Sequence, residues 1–285
     1  VGNDGPTPYV TGGACGIAIT PAGQVYMANT KTDSIVRQDA PNSTSFTVIA
    51  NSTKGISRPR DLTIDAAGNV FVADTFNSAV RRYAPDGSGG WTQSDVATSG
   101  LSYPYGVAVD GTGNVYVADS LNGAIRRYAP NGSGGWTRSD VATGLFDPGA
   151  VAVDGMGNVF VAATGNDTIR RYAPDGNGGW IQSDVATSGL SQPNGVAVDR
   201  VGNVFVADSN HNAIRKYTPV VTWTQTGIVA HAQVSPYAVA VDGAGKVYVA
   251  DTVNNAIRLY TPNGNSWIES VVATNGLFYP FGVAV

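Results

Sequence analysis

Apolar and polar positions along this chain fall into short runs that recur at nearly fixed intervals. In residues 104–141, PYGVAVDGTGNVYVADSLNGAIRRYAPNGSGGWTRSDV, four such runs are separated by turn signals. The first, Gly106–Val109, uses only small residues, and the second, Val115–Ala118, is apolar on both faces. The third, Ala124–Tyr128, alternates, and the fourth, Trp136–Thr143, is rich in Thr, Arg, Ser and Asp. Runs of this length bounded by Gly, Asn, Asp and Pro read as β-strands, and the 3.6-residue periodicity of an amphipathic helix is absent. The segment DGTGN (110–114) offers an Asp to cap the backbone and glycines for positive φ, as a hairpin requires, and DSLNG (119–123) forms a second turn. A strand apolar on both faces needs packed layers on each side. The polar fourth run suits an exposed edge that resists pairing with other molecules.

The same four runs repeat along nearly the whole chain. Their first segments begin at residues 16 (GIAIT), 61 (DLTID), 106 (GVAVD), 150 (AVAVD), 195 (GVAVD), 238 (AVAVD) and 282 (GVAV). A spacing of about 44 residues is that of a four-stranded blade. The expected fold is therefore all-β, a six-bladed β-propeller of four-stranded antiparallel blades forming a single domain over 1–285. The blades fall at about 16–60, 61–105, 106–149, 150–194, 195–237 and 238–281, with 282–285 as an extra inner-strand stub beside a closed ring.

The segment VAVDGTGNVYVADSLNGAIRRY resembles the NHL repeat of β-propellers in its GVAVD, GNVYVAD, N and I-R spacing, and the similarity covers residues 16–274 as six copies. The resemblance implies a ring of blades around a channel. It implies no single function, since such propellers include bacterial sensor domains, RNA or protein binders, and relatives of an amidating lyase. The lyase likeness would imply a three-histidine metal site, which two histidines cannot build.

Composition narrows the classes. The 36 glycines and 15 prolines fit a turn-rich β-protein, and a net charge of −4 lacks the basic footprint of nucleic-acid binding. There is no apolar run near 18 residues and no basic-then-apolar leader, so the chain reads as a soluble, mature portion without membrane insertion, and as a monomer. Its Lys-poor surface, rich in Gly, Asn, Ser and Thr, points to an extracellular or periplasmic setting. A lone Cys15 excludes an internal disulfide.

Candidate chemistry is sparse. His211 replaces the Asn or Asp found at the same turn in the sister copies, and His231 has no partner in sequence; both read as structural or surface residues. Glu269 reads as a solvated edge charge. Asp65, Asp110, Asp154, Asp199 and Asp242 end the first runs, and Asp74, Asp119, Asp208 and Asp251 the second, which suggests turn chemistry. No cofactor is expected, and a structural calcium is the minor alternative. Arg37, Arg81, Arg126, Arg170, Arg215 and Arg258 recur at one position, as expected of residues that hold adjacent blades together, and the regular Trp91, Trp136, Trp180, Trp223 and Trp267 read as rim packing.

Positions that fail to repeat are more informative about function. The residue before each first run is Cys15, Arg60, Tyr105, Gly149, Asn194, Tyr237 and Phe281, which should ring one mouth of the channel. The turn between second and third runs shares that face and varies too, with Phe76 and Leu121 among its members. The expected ligand-binding face thus comprises Arg60, Phe76, Tyr103, Tyr105, Leu121, Asn194, His211, Tyr237 and Tyr279. The expected function is noncatalytic, a binding or sensor propeller for a protein or small ligand. The alternatives are a metal-dependent lyase or hydrolase, and a carbohydrate binder with one site per blade.

Overall fold

A computed structural model of the protein describes residues 14–40, 43, 45–219, 223–230, 236–264, 266–273, 280 and 282–284. It contains six four-stranded antiparallel sheets, and in each the strand order follows the chain order. In blade 3 the strands are Pro104–Val109, Val115–Asp119, Ala124–Pro130 and Trp136–Ala142, within two residues of the runs read from sequence. The chain is a six-bladed β-propeller.

The second strand shows why the pattern lacks alternation. Val115 and Val117 pack with Phe71 and Ala73 of blade 2, whereas Tyr116 and Ala118 pack with Val159 and Val161 of blade 4. Both faces are core, each toward a different neighbour, and each fully buried Val contributes about 1.5–3 kcal/mol. The tryptophans complete the same interfaces. Trp91, Trp136, Trp180 and Trp223 meet Tyr26, Phe71, Tyr116 and Phe160 of the preceding blade edge-to-face, with ring centroids 6.2–6.4 Å apart.

Near the axis the inner strands approach backbone to backbone. A Cβ on Gly16 would lie 2.6 Å from the Cα of Asp61, one on Gly106 2.9 Å from that of Ala150, and one on Gly195 2.6 Å from that of Ala238. Glycine therefore alternates with a larger residue from blade to blade. Each blade is also tied to the next by a hydroxyl donated to the carbonyl of the proline that opens the following inner strand. The pairs are Thr30 to Pro59, Thr75 to Pro104, Ser120 to Pro148, Thr164 to Pro193, Ser209 to Pro236 and Thr252 to Pro280, at 2.5–2.8 Å. Proline suits that position because a first strand residue needs no ladder N–H.

The last of these bonds shows how the ring closes. Segment 282–284 runs parallel to the inner strand of blade 1, pairing Ala284 with Ala18, and the N–H of Ile19 donates to the carbonyl of Ala284 at 2.6 Å. Val283 packs among Ile17, Met27 and Val36 of blade 1 and Ala240, Ala250 and Ile257 of blade 6. Segment 282–284 is thus packed between the first and last blades.

Replacing Gly195 by Ala should cost about 1–3 kcal/mol, because the new methyl meets backbone that cannot yield. Gly111, which has open space around it, serves as the control. Thermal unfolding of Gly195→Ala and Gly111→Ala measures the difference, and equal melting temperatures would refute axial crowding as the constraint.

Candidate functional site at the channel mouth

The repeated charges form a structural node in blades 2, 3, 5 and 6. The carboxylates of Asp74, Asp119, Asp208 and Asp251 are fully buried at the end of the second strand. Arg81, Arg126, Arg215 and Arg258 donate Nε to them at 2.5–2.9 Å. The side chains of Asn77, Asn122, His211 and Asn254 complete the node at 2.8–2.9 Å, and the backbone N–H groups of Ser57, Ser102 and Ser191 donate to the other carboxylate oxygen in blades 2, 3 and 5. The repeated arginine therefore braces its own blade first, and in blade 2 Arg81 also donates to the carbonyl of Gly55 in the preceding blade. Arg37 is not part of this set, because its register in blade 1 is that of Arg82. The node arginine reaches onward to the outer strand, to Asp95 in blade 2 and Asp140 in blade 3. Glu269 fills that role for Arg258 in blade 6, so it is an ion-pair partner rather than a solvated edge charge.

The neighbouring cations have structural partners too. Arg82, Arg127 and Arg171 donate to Asn69, Asn114 and Asn158 at 2.8–3.0 Å. Those asparagines close the D-x-x-G-N turns (DAAGN, DGTGN and DGMGN), whose Asp oxygens accept the turn's own N–H groups, as Asp110 does from Thr112 and Asn114. Nearly all the recurring polarity is consumed by the scaffold.

The nonrepeating residues converge elsewhere. Arg60, Tyr105, Gly149, Asn194 and Tyr237 line one cavity of about 210 Å³ on the axis, together with the inner strands of blades 2–6 and Gly282–Ala284. The guanidinium of Arg60 lies 4.1 Å from the ring centroid of Tyr105, a cation–π contact that holds both side chains at the mouth. Asn194 donates its amide to Ser209 at 2.9 Å. Two further polar residues in the wall, Asp61 and Thr63, escaped the reading of the sequence. The signal was there: DLTI stands in blade 2 where the other inner strands carry GIAI, GVAV or AVAV.

Asp61 accepts the N–H of Leu62 and that of Val107, both at 2.9 Å. Enclosure by the neighbouring inner strands outweighs these two bonds and pushes its carboxyl up to about 7.

A second group shares this face. Phe76 and Tyr103 are 47% and 37% exposed and stack edge-on at 5.4 Å, with the Arg58 guanidinium 4.4 Å from the Phe76 ring. Arg58, Tyr103, Asp147 and Gln192 all take left-handed backbone, with φ of 43–51°, just before the proline that opens the inner strand. This strained geometry turns their side chains away from the ladder. Leu121 is exposed beside them, its N–H donating to the carbonyl of Ser102. His211 belongs to the Asp208 node rather than the channel group, and Tyr279 and His231 lie outside the described residues. Among the described residues no group of three or more His, Cys, Asp or Glu side chains converges as a metal site would need.

Fold and site together define the class as a β-propeller with a polar-rimmed axial cavity. The NHL repeat model matches residues 190–217, so this six-bladed propeller carries an NHL repeat across the first three strands of blade 5. No curated protein matches it in sequence. Among solved structures it is similar to a streptogramin B lyase at 16% identity and TM-score 0.76, over 98% of this chain and 88% of that one. A gluconolactonase from Xanthomonas campestris gives 15% identity and TM-score 0.65, over 93% and 88%. A structure of the nidogen/laminin complex gives 18% identity and TM-score 0.67, over 87% and 91%. Likeness at this level concerns the fold, which serves enzymes and protein binders alike.

The Asp61 carboxyl should titrate with a midpoint of about 7 in the folded protein, against about 3.9 when unfolded. Between those values the folded state holds the extra proton, so this group's contribution to stability falls as pH rises from about 4 to about 7. Side-chain carboxyl NMR across that range tests this, and an Asp61 midpoint below about 5 would overturn it.

Proposed function

We propose that this protein is a noncatalytic recognition propeller that takes a protein or small ligand on the loop face around its channel. One observation carries the reading. Arg60, Tyr105, Asn194 and Tyr237, four residues that break the repeat, meet at one cavity, while the repeating charges are engaged in the scaffold. Rigid strands present these side chains at little entropic cost. A volume of about 210 Å³ is below that of most cavities that engulf a drug-sized molecule, so the fit is to a projecting side chain or the end of a small ligand. The Phe76–Tyr103 pair beside the mouth would then carry the apolar part of the contact. The composition of the surface favours work at the cell exterior or in the periplasm.

A lyase or hydrolase is the second reading, favoured by the Asp61 carboxyl poised near neutrality in the cavity wall, as general acid–base chemistry requires. The carbohydrate reading loses its main support, because the tryptophan rings are engaged by neighbouring blades.

Replacing Arg60, Tyr105 and Tyr237 together by Ala should weaken binding at least about tenfold while leaving the melting temperature within about 2 °C. Screening the immobilised wild type and variant in parallel against peptide and metabolite libraries measures the first effect, and thermal unfolding the second. Binding unchanged in the variant would place recognition elsewhere.

A further inference from the structure

Blade 4 lacks the carboxylate around which blades 2, 3, 5 and 6 are built. Where those blades have Asp74, Asp119, Asp208 and Asp251, blade 4 has Ala163, which is fully buried. The donors that converge on the missing group are still present. Arg170 occupies the place of Arg81 and Arg126, Asn166 that of Asn77 and Asn122, and the backbone N–H of Phe146 that of Ser57 and Ser102.

The consequence is visible in the hydrogen bonding. Nε of Arg170, which in blades 2, 3, 5 and 6 donates to the Asp, is buried without a partner. So is the hydroxyl of Thr168, which stands directly opposite Ala163 in the ladder, where blades 2, 3, 5 and 6 carry Ala. Thr168 and Arg170 are two residues apart on one strand and so share a face. Asp184 lies across from Arg170 on the outer strand, yet no salt bridge to Arg170 is found among the described residues; the guanidinium reaches the Tyr172 hydroxyl, and its Nε is the nitrogen left without an acceptor. Blade 1 meets a similar substitution differently: Asn29 replaces the Asp and its side-chain oxygen accepts the N–H groups of Lys31 and Thr32.

Two buried donors without acceptors at one point carry a desolvation cost that an acceptor of the right size would remove. The lost group is one carboxylate, and the charge left behind is positive. We propose that the blade-4 node is a binding site for a small carboxylate anion, of the size of formate or acetate, seated where the sister blades hold their Asp side chain. Arg170 Nε and the Thr168 hydroxyl donate to it, with the Asn166 amide and the Phe146 N–H placed to complete the set. The turn at Gly165 and Asn166 is exposed, which gives the anion a way in. This site is separate from the channel mouth and does not depend on the function proposed for it.

The test is chemical replacement of the missing side chain. In a sodium formate series at constant ionic strength, the melting temperature of the wild type should rise saturably by about 2 °C or more. The Ala163→Asp/Thr168→Ala variant, which restores the pattern of the sister blades, should melt higher than the wild type and no longer respond. Arg170→Gln provides a variant with the anchoring charge removed, and it too should lose the response. Line broadening of ¹³C-formate by wild type, absent with either variant, gives a readout independent of stability. A wild type that neither shifts nor broadens the signal, or variants that respond as it does, would overturn the proposal and leave water or the Thr168 methyl as the filler of the node.

Discussion

The close approach of inner strands at the axis is the constraint on which the rest of this structure depends. Six blades can meet around a narrow channel only where backbone lies against backbone, and the contacts of Gly16, Gly106 and Gly195 with the next strand leave no room for a side chain. Small residues at the centre oblige each blade to widen outward, and the widening space is filled in order by Val, then Tyr and Phe, then the rim tryptophans. The hydroxyl-to-proline bond at each junction fixes the height of one blade against the next. Both devices are local, so the ring is assembled from nearest-neighbour interactions, as expected for repeat proteins.

That economy separates scaffold from site. Most of the recurring side chains are engaged by the scaffold: Asp with Arg and Asn in blades 2, 3, 5 and 6, the first-turn Asp with its own turn, and Trp with the preceding blade's aromatic edge. What varies is the residue before each inner strand and the middle residue of the turn beside it, such as Phe76 and Leu121, while the first residue of that turn keeps the hydroxyl that ties the blades together. Arg60 and Tyr105 illustrate the result, since their stacking is a contact that only these two blades make. The same logic brings Asp61 into view. An Asp where blades 4 and 6 have Ala150 and Ala238 is tolerated because Gly16 in the preceding blade makes space for it and two backbone N–H groups meet its oxygens.

The fold was legible in the sequence because it is written six times. Period, strand order and the inward-to-outward gradient from GVAV to WTRSDV each follow from self-alignment, and strand boundaries agree within two residues in blade 3. The ring of Arg60, Tyr105, Asn194 and Tyr237 was legible by the opposite rule, as failure to repeat at a fixed position. Contacts inside the blade were not. The repeated Arg points along its own sheet to an Asp seven residues earlier, which spacing alone does not distinguish from a reach across to the next blade. Glu269 was likewise hidden, since its partner Arg258 sits on a neighbouring strand whose register depends on a bulge. The wedge formed by 282–284 was beyond a one-dimensional pattern, which identifies an inner strand but not the gap it enters.

Departures from a repeat therefore carry two different meanings, and the structure separates them. At the channel mouth the changed residue lines the cavity, so a change there strands no buried donor of the repeat. At Ala163 the changed residue is buried, and its loss strands donors that the repeat had assigned to it. An exposed departure is free to be functional or neutral, but a buried one that leaves a guanidinium nitrogen and a hydroxyl unpaired carries a standing cost, about 1–3 kcal/mol for each unmet group. Blade 4 keeps Arg170 and Asn166 although the Asp they served is gone. Either they have another acceptor or the blade is held together at a loss, and the first alternative is the one with chemistry in it.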